Sequence, residues 1–342
     1  MKQHWFISLF ACLLLTNCQS DYQTLLLDEA QPLQATLLFE KDSNNYIYDI
    51  KATETHLAIL NQENDTMLTV YEEGKYDSPI FIVGPATYQE AVLRKPHFRK
   101  EVTTDEVIVL ADNNSRFYRL SPENTNWQLQ PEDPLFDVCN SFQYNRTQKE
   151  IYAVPFRPDL PYPFYYYNTS EGYYWVEADS CVHRQLAYKP DCYLCELCVH
   201  EKKDRAVIAY RFTNYVTFYD LEGNIETNIR IGQTAIAPKW IKTGALDTEN
   251  TTKCLLDVCG TPDYLYCLYS GSVDYATPTY LIAFHWNGKP YKTWQLDSYI
   301  QEKKNVTNSV IRAIGINIPS PYKKFLLHVS DKTNTLQYSI NS

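Results

Sequence analysis

A unit of sequence recurs six times along this chain and limits the folds that the chain can adopt. In each unit a polar or acidic residue stands beside an apolar one, and a short loop, an apolar strand, a turn and a second, aromatic strand follow. The units begin at Tyr46, His97, Leu135, Cys195, Leu255 and Val310. Their starts are about 53 residues apart, close to the period of propeller blades. The sequence therefore predicts an all-β fold, a six-bladed β-propeller of four-stranded antiparallel sheets.

The strands and turns within the units agree with this prediction. The second strands are apolar runs, as expected for strands buried on both faces. They read LAIL, VIVLAD, IYAVPF, AVIAY, YLYCLYS and FLLHVSD. Three units contain a hairpin glycine, at Gly74, Gly223 and Gly288, and glycine readily supplies the positive φ of a tight turn. The 29 Tyr, 14 Phe and 6 Trp suit pleated, half-buried surfaces. A pair of β-sandwiches is the competing architecture.

The last unit ends with too few residues for a fourth strand. The segment ATLLF, Ala35–Phe39, is the predicted replacement, because pairing an N-terminal strand into the last sheet removes an open edge. The predicted organisation is a leader over 1–17, a linker over 18–34 and a propeller over 35–342.

The N-terminus, MKQHWFISLFACLLLTNCQS, predicts an exported, membrane-anchored protein. Its apolar run, from Phe6 to Leu15, is about half the roughly 20 residues that a membrane-spanning helix needs. The sequence Leu15-Thr16-Asn17-Cys18 resembles the bacterial lipobox, although Asn17 replaces the usual small residue. The resemblance implies that Cys18 receives lipid and becomes the first mature residue. The predicted location is the bacterial cell envelope, at the outer membrane.

Charge and motifs narrow the classes of function. The net charge is −10, and no basic stripe is present, so nucleic acid is not an expected partner. The chain has no G-x-G-x-x-G, Walker, H-E-x-x-H or G-x-S-x-G motif, and no cofactor is predicted.

The stretch DCYLCELCVH, 191–200, raises the question of a metal site. Three cysteines of the chain hold the same position in consecutive units, which places them in innermost strands: Cys139, Cys198 and Cys259. In a continuous strand Cys192, Cys198 and His200 would share one face, and Cys195 would point the other way. Cys192 and Cys198 would then be about 20 Å apart at roughly 3.3 Å per residue. Buried thiols are therefore predicted and no metal is assigned, while a knuckle-like metal site and a disulfide are the alternatives.

The segment from Pro155 to Trp175, PFRPDLPYPFYYYNTSEGYYW, holds the predicted ligand-binding residues. They are Tyr165, Tyr166, Tyr167 and Trp175. If the segment is a loop that projects from the propeller, its aromatic faces suit sugar rings or peptide side chains. In the alternative interpretation, most of these rings fill the space between the third and fourth blades.

Acidic residues recur at one strand position and would surround the propeller axis: Asp49, Asp137, Glu196 and Asp257. A hydrolase or lyase could use such carboxylates at the mouth of the channel. The competing interpretation is that they accept hydrogen bonds from neighbouring backbone amides. No catalytic residue is assigned.

Three segments carry a resemblance to a known family: VGPATYQEAVLRKPHF, LLDVCGTPDYLYCLYSG and AFHWNGKPYKTWQLD. The mature chain resembles the TolB-like six-bladed propeller lipoproteins of anaerobic Gram-negative bacteria. The resemblance implies a fold and a location but brings no catalytic residue. The predicted function is a lipid-anchored envelope propeller that binds glycan or an envelope protein, with the hydrolase or lyase as alternative.

Overall fold

The structure, a computed structural model, describes the greater part of the chain. The described residues are 22–33, 35–40, 46–53, 55–62, 66–84, 93, 96–99, 108–112, 116–123, 126–134, 139–145, 150–155, 162–168, 170–187, 189, 192–273, 279–296, 313–317, 324–330 and 334–341. The predicted leader, 1–17, and the predicted lipidation site, Cys18, lie outside them. Within the described ranges, no helix has the length and apolar character needed to cross a bilayer.

Within the described residues, six sheets built mainly of antiparallel strands follow one another along the chain, and the first three have four strands each. Sheet 1 consists of β4 (Tyr46–Ala52), β5 (His56–Gln62), β6 (Leu68–Glu72) and β7 (Phe81–Val83). Sheet 2 consists of β8 (His97–Phe98), β9 (Ile108–Asp112), β10 (Arg116–Glu123) and β11 (Asn126–Pro134). Sheet 3 consists of β12 (Cys139–Asn145), β13 (Glu150–Pro155), β14 (Phe164–Asn168) and β15 (Gly172–Val176).

The remaining three sheets follow the same up-and-down order. Sheet 4 begins with β16 (Cys195–His200), β17 (Arg205–Tyr210), β18 (Tyr215–Tyr219) and β19 (Ile225–Ile231). Sheet 5 begins with β20 (Lys253–Gly260), β21 (Tyr264–Ser272), β22 (Tyr280–His285) and β23 (Pro290–Leu296). Sheet 6 begins with β24 (Ala313–Asn317), β25 (Lys324–Ser330) and β26 (Asn334–Asn341). The short helix α1 (Ser180–Gln185) connects sheets 3 and 4, and a 3₁₀ turn (Glu201–Lys203) joins β16 to β17.

The N-terminal segment adds one strand to each of sheets 4, 5 and 6. These strands are β1 (Tyr22–Leu25), β2 (Gln31–Leu33) and β3 (Ala35–Glu40). β1 runs parallel to β19, β2 runs parallel to β23, and β3 runs antiparallel to β26. The predicted pairing of Ala35–Phe39 with the last sheet is confirmed. In the segment predicted as a linker, 18–34, the described residues 22–33 contain two strands.

The first strand of each sheet contacts the first strand of the next. The contacts run from β4 through β8, β12, β16 and β20 to β24, and β24 contacts β4. The fold is therefore an all-β propeller of small antiparallel sheets, as predicted. The predicted four strands in each of six blades are corrected: four sheets have four strands, while β1 and β2 extend sheets 4 and 5 to five strands.

The hydrophobic core lies in layers between neighbouring sheets. Between sheets 3 and 4, Phe164 meets Tyr219 edge to face, with ring centroids 5.2 Å apart. Between sheets 4 and 5, Phe218 meets Phe284 in the same way at 5.9 Å. Such rings bury large apolar areas, so the aromatic side chains of the strands supply much of the core between neighbouring sheets. Sheet 4 is consequently buried on both faces, as its apolar second strand predicts.

Candidate ligand-binding site

The predicted ligand-binding residues lie in the two outer strands of sheet 3. Strands β14 and β15 form a hairpin with direct cross-strand partners: Tyr165 with Trp175, Tyr166 with Tyr174, and Tyr167 with Tyr173. At the turn Gly172 has φ +93°, and the Ser170 N–H donates to Asn168 Oδ1 at 2.9 Å. These residues therefore lie in paired strands, which aromatic side chains favour, and not in the projecting loop that was the condition for ligand binding in the sequence analysis. Residues 156–161 lie outside the described part of the chain.

Strand alternation sends four of the aromatic side chains to the side of sheet 3 that faces sheet 2. We call them the sheet-3 aromatic face: Tyr165, Tyr167, Tyr173 and Trp175. The rings of Tyr173 and Trp175 are parallel to within 7°, with centroids 6.0 Å apart. Tyr162 adds a ring 5.7 Å from that of Trp175. Tyr173 and Trp175 are only half-buried, so part of this face is open to solvent.

The other side of the hairpin carries a second aromatic pair with polar partners. Tyr166 and Tyr174 stack with centroids 5.9 Å apart, and Tyr174 is 48% exposed. The Tyr166 hydroxyl donates to Glu150 Oε1 at 2.7 Å, and the Asn168 side-chain amide donates to the same oxygen at 3.2 Å. Burial, followed by the hydrogen bond to Glu150, raises the pKa of Tyr166. The outer end of the hairpin thus combines exposed rings with hydrogen-bonding groups.

The predicted residues have different degrees of exposure. Tyr165 is fully buried and fills space between sheets 2 and 3, whereas Tyr166, Tyr167 and Trp175 are half-buried. The more exposed Tyr174 is not among the predicted residues. Had the segment been interpreted as a hairpin with its turn at Gly172, Tyr174 would have been predicted as the cross-strand partner of Tyr166.

The cysteine-rich stretch lies in a strand and in the turn before it. Cys195 and Cys198 belong to β16 and lie on opposite faces, Cys195 in the core towards sheet 3 and Cys198 in the core towards sheet 5. Cys192 precedes the strand and joins the cluster of Cys195. The prediction that Cys192 shares a face with Cys198 is therefore wrong, since the strand begins at Cys195.

The prediction of buried thiols is confirmed. The eight described cysteines form no disulfide with one another, and seven of them are buried while Cys259 is half-buried. Burial raises the pKa of the Cys195 thiol, which donates to the Pro163 carbonyl at 3.3 Å. In the described ranges, no group of three His, Cys, Asp or Glu residues has the arrangement of a metal site. These thiols act as small apolar side chains.

Two of the acidic positions are buried acceptors for backbone amides. Asp49 Oδ1 accepts from the N–H of Ile50, and Asp49 Oδ2 accepts from the N–H of Phe98 in sheet 2, both at 2.9 Å. Asp257 Oδ1 accepts from the N–H of Val258 at 2.8 Å. The structural interpretation of these carboxylates is therefore confirmed at Asp49 and Asp257.

The other two acidic positions are Asp137 and Glu196. Asp137 lies outside the described residues. Glu196 is half-buried, and its carboxylate lies 3.4 Å from the guanidinium of Arg211. That guanidinium also donates to the Leu256 carbonyl at 2.8 Å, so it bridges sheets 4 and 5. The sequence alone does not indicate Arg211, because a single arginine in a connecting turn has no sequence signature.

The fold and the exposed aromatic hairpin define the class of this protein as a β-propeller with a candidate surface for ligands. No protein-family model matches the chain. No curated protein matches it either. The solved structure of a streptogramin B lyase is similar, with 10% identity, a TM-score of 0.47, and coverage of 90% of this chain and 97% of that chain. The strand pairing carries the fold assignment, and the TolB-like resemblance stays a prediction.

Proposed function

We propose that this protein is a lipid-anchored propeller of the bacterial envelope that binds glycan on the outer hairpin of sheet 3. The observation that carries the proposal is the pair of half-buried, parallel rings of Tyr173 and Trp175, with the exposed ring of Tyr174 on the other side of the same strand. The lipobox-like sequence before Cys18 supports the anchor.

The proposal includes six blades around one axis. Its support is the series of contacts between the first strands of the six sheets, which returns from β24 to β4. The interblade hydrogen bond from Phe98 to Asp49 adds to it. The TolB-like resemblance and the outer-membrane location belong to the same proposal, on the three sequence segments quoted above.

Glycan is the ligand class that the hairpin suits. Sugar rings present C–H groups on their faces and hydroxyl groups at their edges. Exposed aromatic rings offer apolar surface to the faces, and a few fixed polar groups orient the edges. Glu150 and Asn168 supply such groups at the turn end, within hydrogen-bonding distance of Tyr166 and of each other.

A hydrolase or lyase that uses the inner carboxylates has weaker support. A general acid or base must be able to exchange a proton with the substrate. Asp49 accepts from the N–H groups of Ile50 and Phe98 and is 5% exposed, and Asp257 accepts from the N–H of Val258 and is 3% exposed. Both carboxylates serve the backbone, which favours binding over catalysis.

Affinity measurements on a glycan panel test the proposal, with the Cys18→Ser protein immobilised and envelope glycans as analytes. Trp175→Ala and Tyr174→Ala should each weaken binding about fivefold, since a stacked ring contributes on the order of 1 kcal/mol. Tyr291→Ala is the matched control, because Tyr291 is 42% exposed on sheet 5. Equal affinities of wild type, Trp175→Ala and Tyr174→Ala for every bound glycan would contradict the proposal.

A further inference from the structure

The first described residue of the chain is held firmly against sheet 4. The Tyr22 ring lies 6.0 Å from that of Tyr215 in an edge-to-face contact, and the Arg230 guanidinium lies 4.5 Å above the Tyr22 ring. Arg230 also donates to the Tyr22 hydroxyl at 2.9 Å. In the backbone, Tyr22 is the partner of Asn228, and the Gly232 N–H donates to the carbonyl of Leu25 at 2.7 Å. The strand is thus fixed by side chains and by pairing.

This fixation leaves a very short tether to the proposed lipid. Only Gln19, Ser20 and Asp21 separate Cys18 from Tyr22. Four residues reach at most about 14 Å at roughly 3.5 Å per residue. Because β1 runs parallel to β19, it enters the sheet from the end of β19 that begins at Ile225. A lipid on Cys18 therefore has to lie close to that end of sheet 4.

The surface at this end has the side chains of a membrane interface. Ile225 is 41% exposed, and Tyr291, at the same end of sheet 5, is 42% exposed. Tyr291 stacks on Tyr264 with centroids 4.4 Å apart. Tyrosine is favoured at the boundary of lipid and water, since its ring is apolar and its hydroxyl is polar. The exposed Lys289 adds a cation that can reach lipid phosphates.

Sheets 4 and 5 are packed together at this end, so the two exposed residues belong to one rigid surface. The turn of sheet 5 at Gly288 approaches sheet 4 so closely that a Cβ there would lie 2.2 Å from Thr227 Cγ2. Glu226, next to Ile225, is paired with Arg205 at 3.1 Å, which offsets its charge. Glu222, at the tip of the sheet 4 turn, is an exposed acidic residue of the same end.

We infer that the turn ends of sheets 4 and 5, around Ile225 and Tyr291, rest on the surface of the bilayer. The inference relies on the proposed lipidation of Cys18 and goes beyond the proposed glycan binding. The propeller is then held in one orientation, with sheet 1 on the far side of the ring. A lipoprotein on a long linker would tumble freely instead.

Hydroxyl-radical footprinting of the full lipidated chain on phospholipid vesicles tests this orientation. The reference is the Cys18→Ser protein in solution. Ile225 and Tyr291 should be modified several-fold less on vesicles, while Ile82, 52% exposed on sheet 1, should be modified equally in both samples. A second variant with about 20 Gly and Ser residues inserted before Asp21, an r.m.s. length of about 25 Å, should lose the protection while it keeps the lipid.

The outcomes separate the orientation from its premise. Intact mass shows whether Cys18 is acylated, and an unacylated chain overturns both the anchor and the orientation. An acylated chain in which Ile225, Tyr291 and Ile82 show equal changes overturns the orientation alone. Protection that persists in the variant with the insertion also overturns it, because the short tether would then not be its cause. Glycan affinity is measured separately, so its loss or retention does not affect this result.

Discussion

The Asp49 carboxylate in the first strand of sheet 1 accepts a hydrogen bond of 2.9 Å from the backbone N–H of Phe98 in the first strand of sheet 2. Ser141 has a similar role between sheets 3 and 4, since its Oγ lies 3.3 Å from both the N–H and the carbonyl of Leu197. Neighbouring sheets are thus joined by polar contacts near the axis as well as by apolar contacts further out. The buried polar groups of the first strands therefore help to fix how neighbouring sheets are positioned against each other.

Asp49→Asn should destabilise the protein by about 2 kcal/mol, because a buried charge-assisted acceptor is replaced and an amide N–H₂ is placed near an N–H donor. Urea unfolding followed by fluorescence measures the change. Asp263→Asn is the control, since Asp263 is exposed in a turn of sheet 5, and it should shift the free energy of unfolding by less than about 0.5 kcal/mol. Similar losses in the two variants would exclude this role of Asp49.

Gly288→Ala should cost more stability than Gly74→Ala. The two glycines have nearly the same φ, +81° and +79°, so the backbone strain of about 1 kcal/mol is common to both variants. A Cβ at residue 74 meets nothing within 4 Å, whereas at residue 288 it would overlap Thr227. The expected additional loss is about 1 to 3 kcal/mol, measured by urea unfolding. A difference near zero would show that the turn shifts freely away from sheet 4.

Two buried histidines should make stability depend on pH. Burial lowers the pKa of His183, although the charges of Glu177 and Asp179 oppose the shift, and burial also lowers the pKa of His200. The unfolded chain then binds protons that the folded chain excludes. The free energy of unfolding should therefore fall as the pH decreases below about 6.5, until the lowered pKa values are reached.

Urea unfolding at pH values of about 7.5, 6.5 and 5.5 measures this dependence. The double variant His183→Asn with His200→Asn should have a flatter slope over the same interval. If the double variant kept the wild-type slope of unfolding free energy against pH, the pH dependence would come from other titratable groups.

The thiols should be almost unreactive in the native protein. Burial raises the pKa values of Cys195, Cys254 and Cys267, so little thiolate is present at neutral pH. An aromatic disulfide reagent should label Cys259 first and the other described cysteines only after unfolding in the absence of reductant. If fewer than about half of the eight then reacted, the assignment of reduced thiols would be wrong.

Much of the fold could be predicted because the repeat places similar residues at similar positions. The predicted second strands correspond to β5, β9, β13, β17, β21 and β25. Cys139, Cys198 and Cys259 do occupy the first strands of sheets 3, 4 and 5. The glycines of three turns have positive φ, as the hairpins require. Apolar runs that are buried on both faces and turns that need glycine both leave a local signature.

The strands that add to outer edges could not be predicted in the same way. The sequences of β1 and β2, YQTL and QPL, have no apolar alternation, because these strands lie on the surface and are exposed or half-buried throughout. The position of Tyr22 between Tyr215 and Arg230 could not be predicted either, because both contacting residues lie some 200 positions away in sequence. The position of Cys192 was missed because its strand begins three residues later than the pattern suggested.

The pairing of β3 with β26 has a consequence for how the protein folds during its synthesis. The two strands lie at opposite ends of the described chain, and their register joins Glu40 to Asn334 and Ala35 to Tyr338. The ring can be sealed only after the residues near 338 have been synthesised. Until then β3 has no partner strand. A chain that is truncated before β26 therefore cannot form the pairing that closes the ring.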